Sequence, residues 1–149
     1  VALSDGSVLI VGGSVGSYGT STDQERAEIY DPAAGTFTLV QDTGGNGSNL
    51  MSLGRYAHSG VLLDSAEDNI ASLAGGVIEC AVITGSINIS GMQGEVFCYT
   101  GNAATSYFLT TNNGTIGDWR DHAAVRLKNN TVLFMNGHNT MIYFPKIYN

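Results

Sequence analysis

One short sentence is written three times along this chain, and that repetition limits its folds more than any other feature. Ser4-Asp5-Gly6-Ser7-Val8-Leu9-Ile10-Val11-Gly12-Gly13 returns, degraded, as Asp68-Asn69-Ile70-Ala71-Ser72-Leu73-Ala74-Gly75-Gly76. It returns again as Asn129-Asn130-Thr131-Val132-Leu133-Phe134-Met135-Asn136-Gly137, the last glycines lying 63 and then 61 residues apart. Upstream, Arg55-Tyr56-Ala57-His58-Ser59-Gly60-Val61-Leu62 matches Arg120-Asp121-His122-Ala123-Ala124-Val125-Arg126-Leu127. Between the copies, Glu95-Val96-Phe97-Cys98-Tyr99 echoes Glu28-Ile29-Tyr30-Asp31, and Gly114-Thr115-Ile116-Gly117-Asp118-Trp119 echoes Gly35-Thr36-Phe37. A period of this length marks a repeat architecture rather than one closed unit.

The repeated unit reads as strands. Apolar residues alternate with polar ones nearly everywhere, and Val8–Val11 is a short β-branched run closed by glycine, as a buried strand would be. Asp31-Pro32-Ala33-Ala34-Gly35 is a turn, with proline presetting φ at the first corner and glycine accepting positive φ at the end, so the flanking segments form a hairpin. Residues 42–49 read as a loop on composition. Charged residues make up only 13% of the chain, against 20 Gly, 13 Ser, 13 Thr and 12 Asn. Those residues suit turns and the solvent faces of strands, whereas helix surfaces need Glu, Lys, Gln, Arg and Ala. The expected fold class is all-β.

Several functions fall away on charge and hydropathy. The net charge is −7 and the pI near 4.6, so the clustered basic face that nucleic acid requires is absent. No apolar run is long enough to cross a bilayer as a helix. A mean hydropathy of +0.06, with Val, Ile and Leu throughout, argues against disorder.

Taken together, Arg-x-x-His-Ser-x-x-x-Leu, Asp-Gly-x-Val-Leu-x-x-Gly-Gly and Ala-Glu-Ile-Tyr-Asp-Pro-x-x-Gly-Thr-Phe-Thr resemble the kelch repeat of β-propellers. The likeness is closest to the form in secreted bacterial proteins and in the propeller of galactose-oxidase-like enzymes. It implies antiparallel four-stranded blades in an incomplete ring. The first blade segment and its loop would occupy 1–54, a second blade 55–119 with an insertion near 77–94, and a partial third blade 120–149. The glycines Gly12, Gly13, Gly75, Gly76 and Gly137 would end inner strands where a Cβ clashes, and the aromatics Phe37 and Trp119 would pack between blades. The length holds about two and a half blades, whereas closed propellers use roughly four to eight. The blade faces therefore need covering, by other copies of the chain or by the rest of a longer one.

Galactose- and glyoxal-type oxidases hold copper with Tyr and His, one Tyr crosslinked to Cys. Tyr56 falls near that tyrosine's place, but no cysteine precedes it and no Tyr–His ligand pair appears. That chemistry does not carry over, and no cofactor or metal site is expected. Among other candidates, His58 and His122 share a repeat position and read as structural residues bonding a neighbouring strand. His138 has no partner at metal-ligand spacing. Asp118, Asp121 and His122 could meet in one loop, where a cation or catalytic role is the minor reading. The glycine-rich stretch 12–20 lacks the lysine and the following helix of a phosphate loop. Glu67 and Asp68 read as solvated turn charge.

Cys80 and Cys98, the only cysteines, are too far apart for a CxxC pair. They are either a disulfide joining neighbouring strands or two buried thiols. Four sequons, at Asn46, Asn88, Asn113 and Asn129, favour a secreted glycoprotein, and Val1 reads as the start of a mature or excised segment. The expectation is thus a non-enzymatic extracellular module serving structural assembly, even a filament if the contact is head-to-tail. The alternatives are a carbohydrate- or protein-binding propeller domain and a fragment of a copper-radical oxidase.

Overall fold

The computed structural model describes residues 1–16, 22–41, 43, 45, 47–63, 76–85, 95–110, 122–128, 131–135 and 147–148. It is all-β, every sheet is antiparallel, and no helix occurs among the described residues. None is therefore long and apolar enough to cross a membrane.

The first sheet orders β1 (Val8–Val11), β4 (Ala27–Asp31) and β5 (Thr36–Leu39) side by side. Residues 1–2 extend it past β1, because Val1 N donates to Leu9 O and Leu9 N to Val1 O, both at 2.8 Å, while Ala2 bridges Val8. A small ribbon of β2 (Ser14–Val15) and β3 (Thr22–Asp23) projects from the β1–β4 connection. The second sheet runs in sequence order through β6 (Ser59–Leu62), β7 (Glu79–Thr84), β8 (Glu95–Tyr99) and β9 (Tyr107–Thr110). The third orders β10 (Ala123–Arg126), β11 (Val132–Met135) and β12 (Ile147–Tyr148).

Local chemistry sets the turns. Asp31 Oδ1 accepts from Ala33 N at 2.8 Å and Ala34 N at 3.2 Å, and Gly35 closes the expected β4–β5 hairpin at φ +66°. Asp5 Oδ1 does the same work one turn earlier, accepting from Ser7 N at 2.9 Å and Ser7 Oγ at 2.6 Å. Short side-chain acceptors of this kind mimic a backbone turn and pin its register.

The three sheets repeat one another in register. Val8 faces Tyr30, which faces Phe37; Ala81 faces Phe97, which faces Phe108; Val132 faces Tyr148. The ring pairs recur too, Tyr30–Phe37 with centroids 4.7 Å apart and Phe97–Phe108 at 5.2 Å, both tilted as aromatic pairs prefer. Side chains alternate across each strand, and the alternation sets the packing. From the middle sheet, Ala81, Ile83, Phe97 and Phe108 meet Leu9, Ala27 and Ile29 of the first, with Leu3, Val40 and Met51 filling in. From its other side, Val82, with Val96 and Val61 beside it, meets Val132 and Ala124 of the third. The same kind of face on each later sheet therefore rests on the same kind of face of the sheet before it.

This register corrects several expectations. Against the expected insertion over 77–94, Glu79–Thr84 forms β7, buried along its whole length at the centre of the middle sheet. The strand that corresponds to β1 is β7, and the glycine after it is Gly85 at φ +91°, not the Gly75-Gly76 pair. Gly76 sits in a turn with open space where a Cβ would go, and Gly75 lies outside the described residues. The second copy has a longer connection between its first two strands, and a chain rich in Gly, Ala and Ser imitates the motif inside it. In register Phe108 answers to Phe37, and Trp119 lies outside the described residues. Phe37 itself is 59% exposed rather than packed between sheets, because the face it shares with Tyr30 points away from the second sheet.

Candidate functional site

The polar residues that the repeat singles out gather at the seams between successive sheets. Arg55 belongs to the segment joining the first sheet to the second, and its backbone is fastened to the first: Gly13 N donates to Arg55 O at 2.6 Å and Arg55 N to Gln24 O at 3.1 Å. Its guanidinium reaches across to pair with Glu95 on β8, and both side chains are fully buried. The other Glu95 oxygen accepts from Ser52 N at 2.6 Å. A buried charge pair survives only where such extra bonds offset its desolvation, and here the pair bolts two sheets together. A second bolt joins the turn at 4–7 to the middle sheet. Ser4 N and Oγ donate to Glu79 Oε1 at 2.8 and 3.0 Å, and Tyr99 Oη donates to Asp5 Oδ2 at 2.7 Å. The hydrogen bonds from Ser7 and Tyr99 hold the Asp5 carboxyl below its ordinary range, while burial and the Asp5 bond push the Tyr99 phenol up.

His58 and His122 stand immediately before β6 and β10, each against the end of a strand in the preceding sheet. His122 Nε2 lies 3.0 Å from Thr84 Oγ1 at the end of β7, and Ser59 Oγ donates to His122 O at 2.5 Å. Burial, with the Arg55 and His122 charges adding, holds the His58 imidazole below the usual value. The two histidines thus hold matching positions one sheet apart. Gly12 explains itself here: at φ +66°, a Cβ would lie 2.5 Å from Arg55 O and 2.9 Å from His58 Cε1. Gly13 has open space at its missing Cβ, so the crowding expected of the pair falls on its first member.

Beyond the seams lie two open faces. On the first sheet, Ile10 and Phe37 are exposed beside half-buried Val8, Tyr30 and Leu39, with exposed Glu28 opposite Ile10. On the third, Val125 and Met135 are exposed beside Leu133.

Cys80 and Cys98 face one another directly across β7 and β8, and both are buried. The sequons Asn46, Asn88, Asn113 and Asn129 lie outside the described residues, as do Gly137, Asp118, Asp121, His138, Glu67 and Asp68. Among the described residues, no three His, Cys, Asp or Glu side chains gather as a metal-binding group, and Tyr56 has no such set beside it.

Sequence reasoning paired Glu95 with Glu28 by position but missed that Arg55 would reach it. The arginines themselves were visible, Arg55 three residues before His58 and Arg120 two before His122 in a chain with six Lys and Arg in all, but the partner was not. Compared with known proteins, the chain finds no match: no protein-family model, no curated protein and no solved structure is similar to it.

Proposed function

We propose that the chain is a run of kelch-type propeller blades that works as a non-enzymatic structural module, joining further sheets of its own kind through its open faces. The observation that carries this reading is a mismatch of environment at matched positions. Val8, Ile10, Tyr30 and Phe37 take the register places of Ala81, Ile83, Phe97 and Phe108. The second set is buried against a preceding sheet, whereas in the first set Ile10 and Phe37 are exposed and Val8 and Tyr30 half-buried. Glu28 likewise stands where Glu95 stands, and Glu95 is met by Arg55 from the segment before its own sheet. The face thus has the shape and charge to receive another apolar sheet accompanied by an arginine. Large contiguous apolar patches mark interaction surfaces, and a repeat that buries one face internally needs a partner for the corresponding face at its end.

An extracellular setting fits the four sequons and the scarcity of lysine, and belongs to the same proposal. Sedimentation of the full chain over a range of concentrations tests it. Masses that rise as multiples of the monomer support the reading. A stable, folded monomer at every concentration overturns it.

A further inference from the structure

We propose that Cys80 and Cys98 form a cross-strand disulfide site that covalently pins the two central strands of the middle sheet, set during folding rather than afterwards. Such a bond does not depend on how the open faces are covered; it follows from strand register. Cys80 lies directly opposite Cys98 in the β7–β8 ladder. On the other side of β7, Cys80 O accepts a hydrogen bond from Leu63 N at 2.8 Å. A strand residue directs its N–H and C=O to one side, so the backbone groups of Cys80 are turned toward β6 and away from β8. Cys80 and Cys98 therefore occupy a non-hydrogen-bonded position of their ladder. There the Cα atoms stand about 4.5 Å apart and the side chains are closest. That spacing lies within the roughly 4.4–6.8 Å that disulfides span, whereas most pairs of positions in a fold fall outside it. The register also puts both Cβ atoms on one face, since side chains directly opposite in an antiparallel pair share it.

Burial decides when the bond forms. Both cysteines are almost wholly inaccessible, packed with Val77 and Tyr107. Exchange needs a thiolate that can reach an oxidant, and a thiol in apolar surroundings is inert. The chemistry thus belongs to the folding chain in an oxidising compartment, with a low-molecular-weight disulfide as oxidant. One cysteine thiolate attacks that disulfide, forming a mixed disulfide and expelling one small thiolate. The other cysteine thiolate attacks the protein sulfur of the mixed disulfide, closing Cys80–Cys98 and expelling the second. Two electrons pass from the protein to the oxidant, and the two protons end on the two small thiols.

The test refolds the full chain from denaturant in reduced plus oxidised glutathione, with a dithiothreitol refold alongside, and reads intact mass and alkylation under denaturing conditions. Expected is a product lighter by two hydrogens that resists alkylation, with a Tm about 10 °C above the reduced form. Protein secreted into an oxidising compartment and purified without reductant should give the same mass, which keeps the test decisive if refolding is inefficient. Native reduced protein should take up the bond far more slowly than the refolding chain. A Cys80→Ala/Cys98→Ala variant should show a Tm indifferent to reductant. Two alkylatable thiols after both routes, or glutathione adducts and disulfide-linked dimers in place of the internal bond, overturn the proposal. Rapid closure in the native reduced protein overturns its timing.

Discussion

Phe37 and Phe108 hold the same place in successive sheets, each tilted against the aromatic opposite it, yet Phe37 is 59% exposed and Phe108 2%. Their surroundings, not their local structure, set them apart: Phe108 belongs to the apolar cluster between the first two sheets, and Phe37 lies on the far side of the first. Truncation should report the difference. Phe108→Ala should cost about 3–5 kcal/mol, as large-to-small changes in packed cores do, and Phe37→Ala less than about 1 kcal/mol. Urea denaturation of the two variants, at a concentration where the chain is monomeric, measures both.

The Arg55–Glu95 pair is the seam's main polar bolt. Removing one partner strands the other as a buried charge, so Glu95→Leu or Arg55→Met alone should destabilise by about 3–5 kcal/mol. Replacing both together should recover most of that loss, because two apolar side chains need no compensation. A double-mutant cycle by chemical denaturation checks the sign of the coupling.

Gly12 and Gly6 both have positive φ, at +66° and +89°, but only Gly12 has atoms where a Cβ would go. Gly6→Ala should cost about 1–2 kcal/mol for the backbone conformation alone. Gly12→Ala should cost that and about 1–3 kcal/mol more, since Arg55 O and the His58 ring must move. Thermal unfolding of the two variants separates backbone strain from crowding.

His58 gives the fold a pH dependence of predictable sign. Its imidazole is held below its ordinary value, so the unfolded chain binds the proton more tightly than the fold does. The contribution of neutral His58 is complete above about pH 6.5 and is lost as pH falls from there toward the folded value, at no more than about 1.4 kcal/mol per pH unit. Asp5 acts in the same direction at lower pH: its depressed carboxyl contributes stability that disappears as the pH drops through its folded value. Denaturation midpoints across pH 4–8 should fall toward acid, and His58→Gln should flatten the upper part of that slope. A slope unchanged in His58→Gln would remove His58 from the account.

How much of this was legible from residues depended on where the information is local. The β4–β5 hairpin was, because Asp31, Pro32 and Gly35 carry their own turn chemistry. The likeness of Glu95–Tyr99 to Glu28–Asp31 was too, and the register places the two strands in matching positions. The second glycine-terminated strand was misplaced because residues 68–76 imitate the motif in composition, whereas β7 is recognised only by its pairing with β6 and β8. Burial on both faces leaves β7 without the polar alternation that marks a strand with one wet side. The inter-sheet bolts were illegible for the same reason: Arg55 meets Glu95, and Asp5 meets Tyr99, only after two sheets have stacked.

The account turns on whether the open face of the first sheet receives a partner. The most direct measurement compares the weight-average mass of the wild-type chain with that of Phe37→Asp by sedimentation equilibrium over a hundredfold range of concentration. The account predicts concentration-dependent association of the wild type, and a monomeric Phe37→Asp variant of unchanged stability, since that side chain makes little of its own sheet's core. Equal association by both proteins, or a wild type that is monomeric and fully folded throughout, would contradict it.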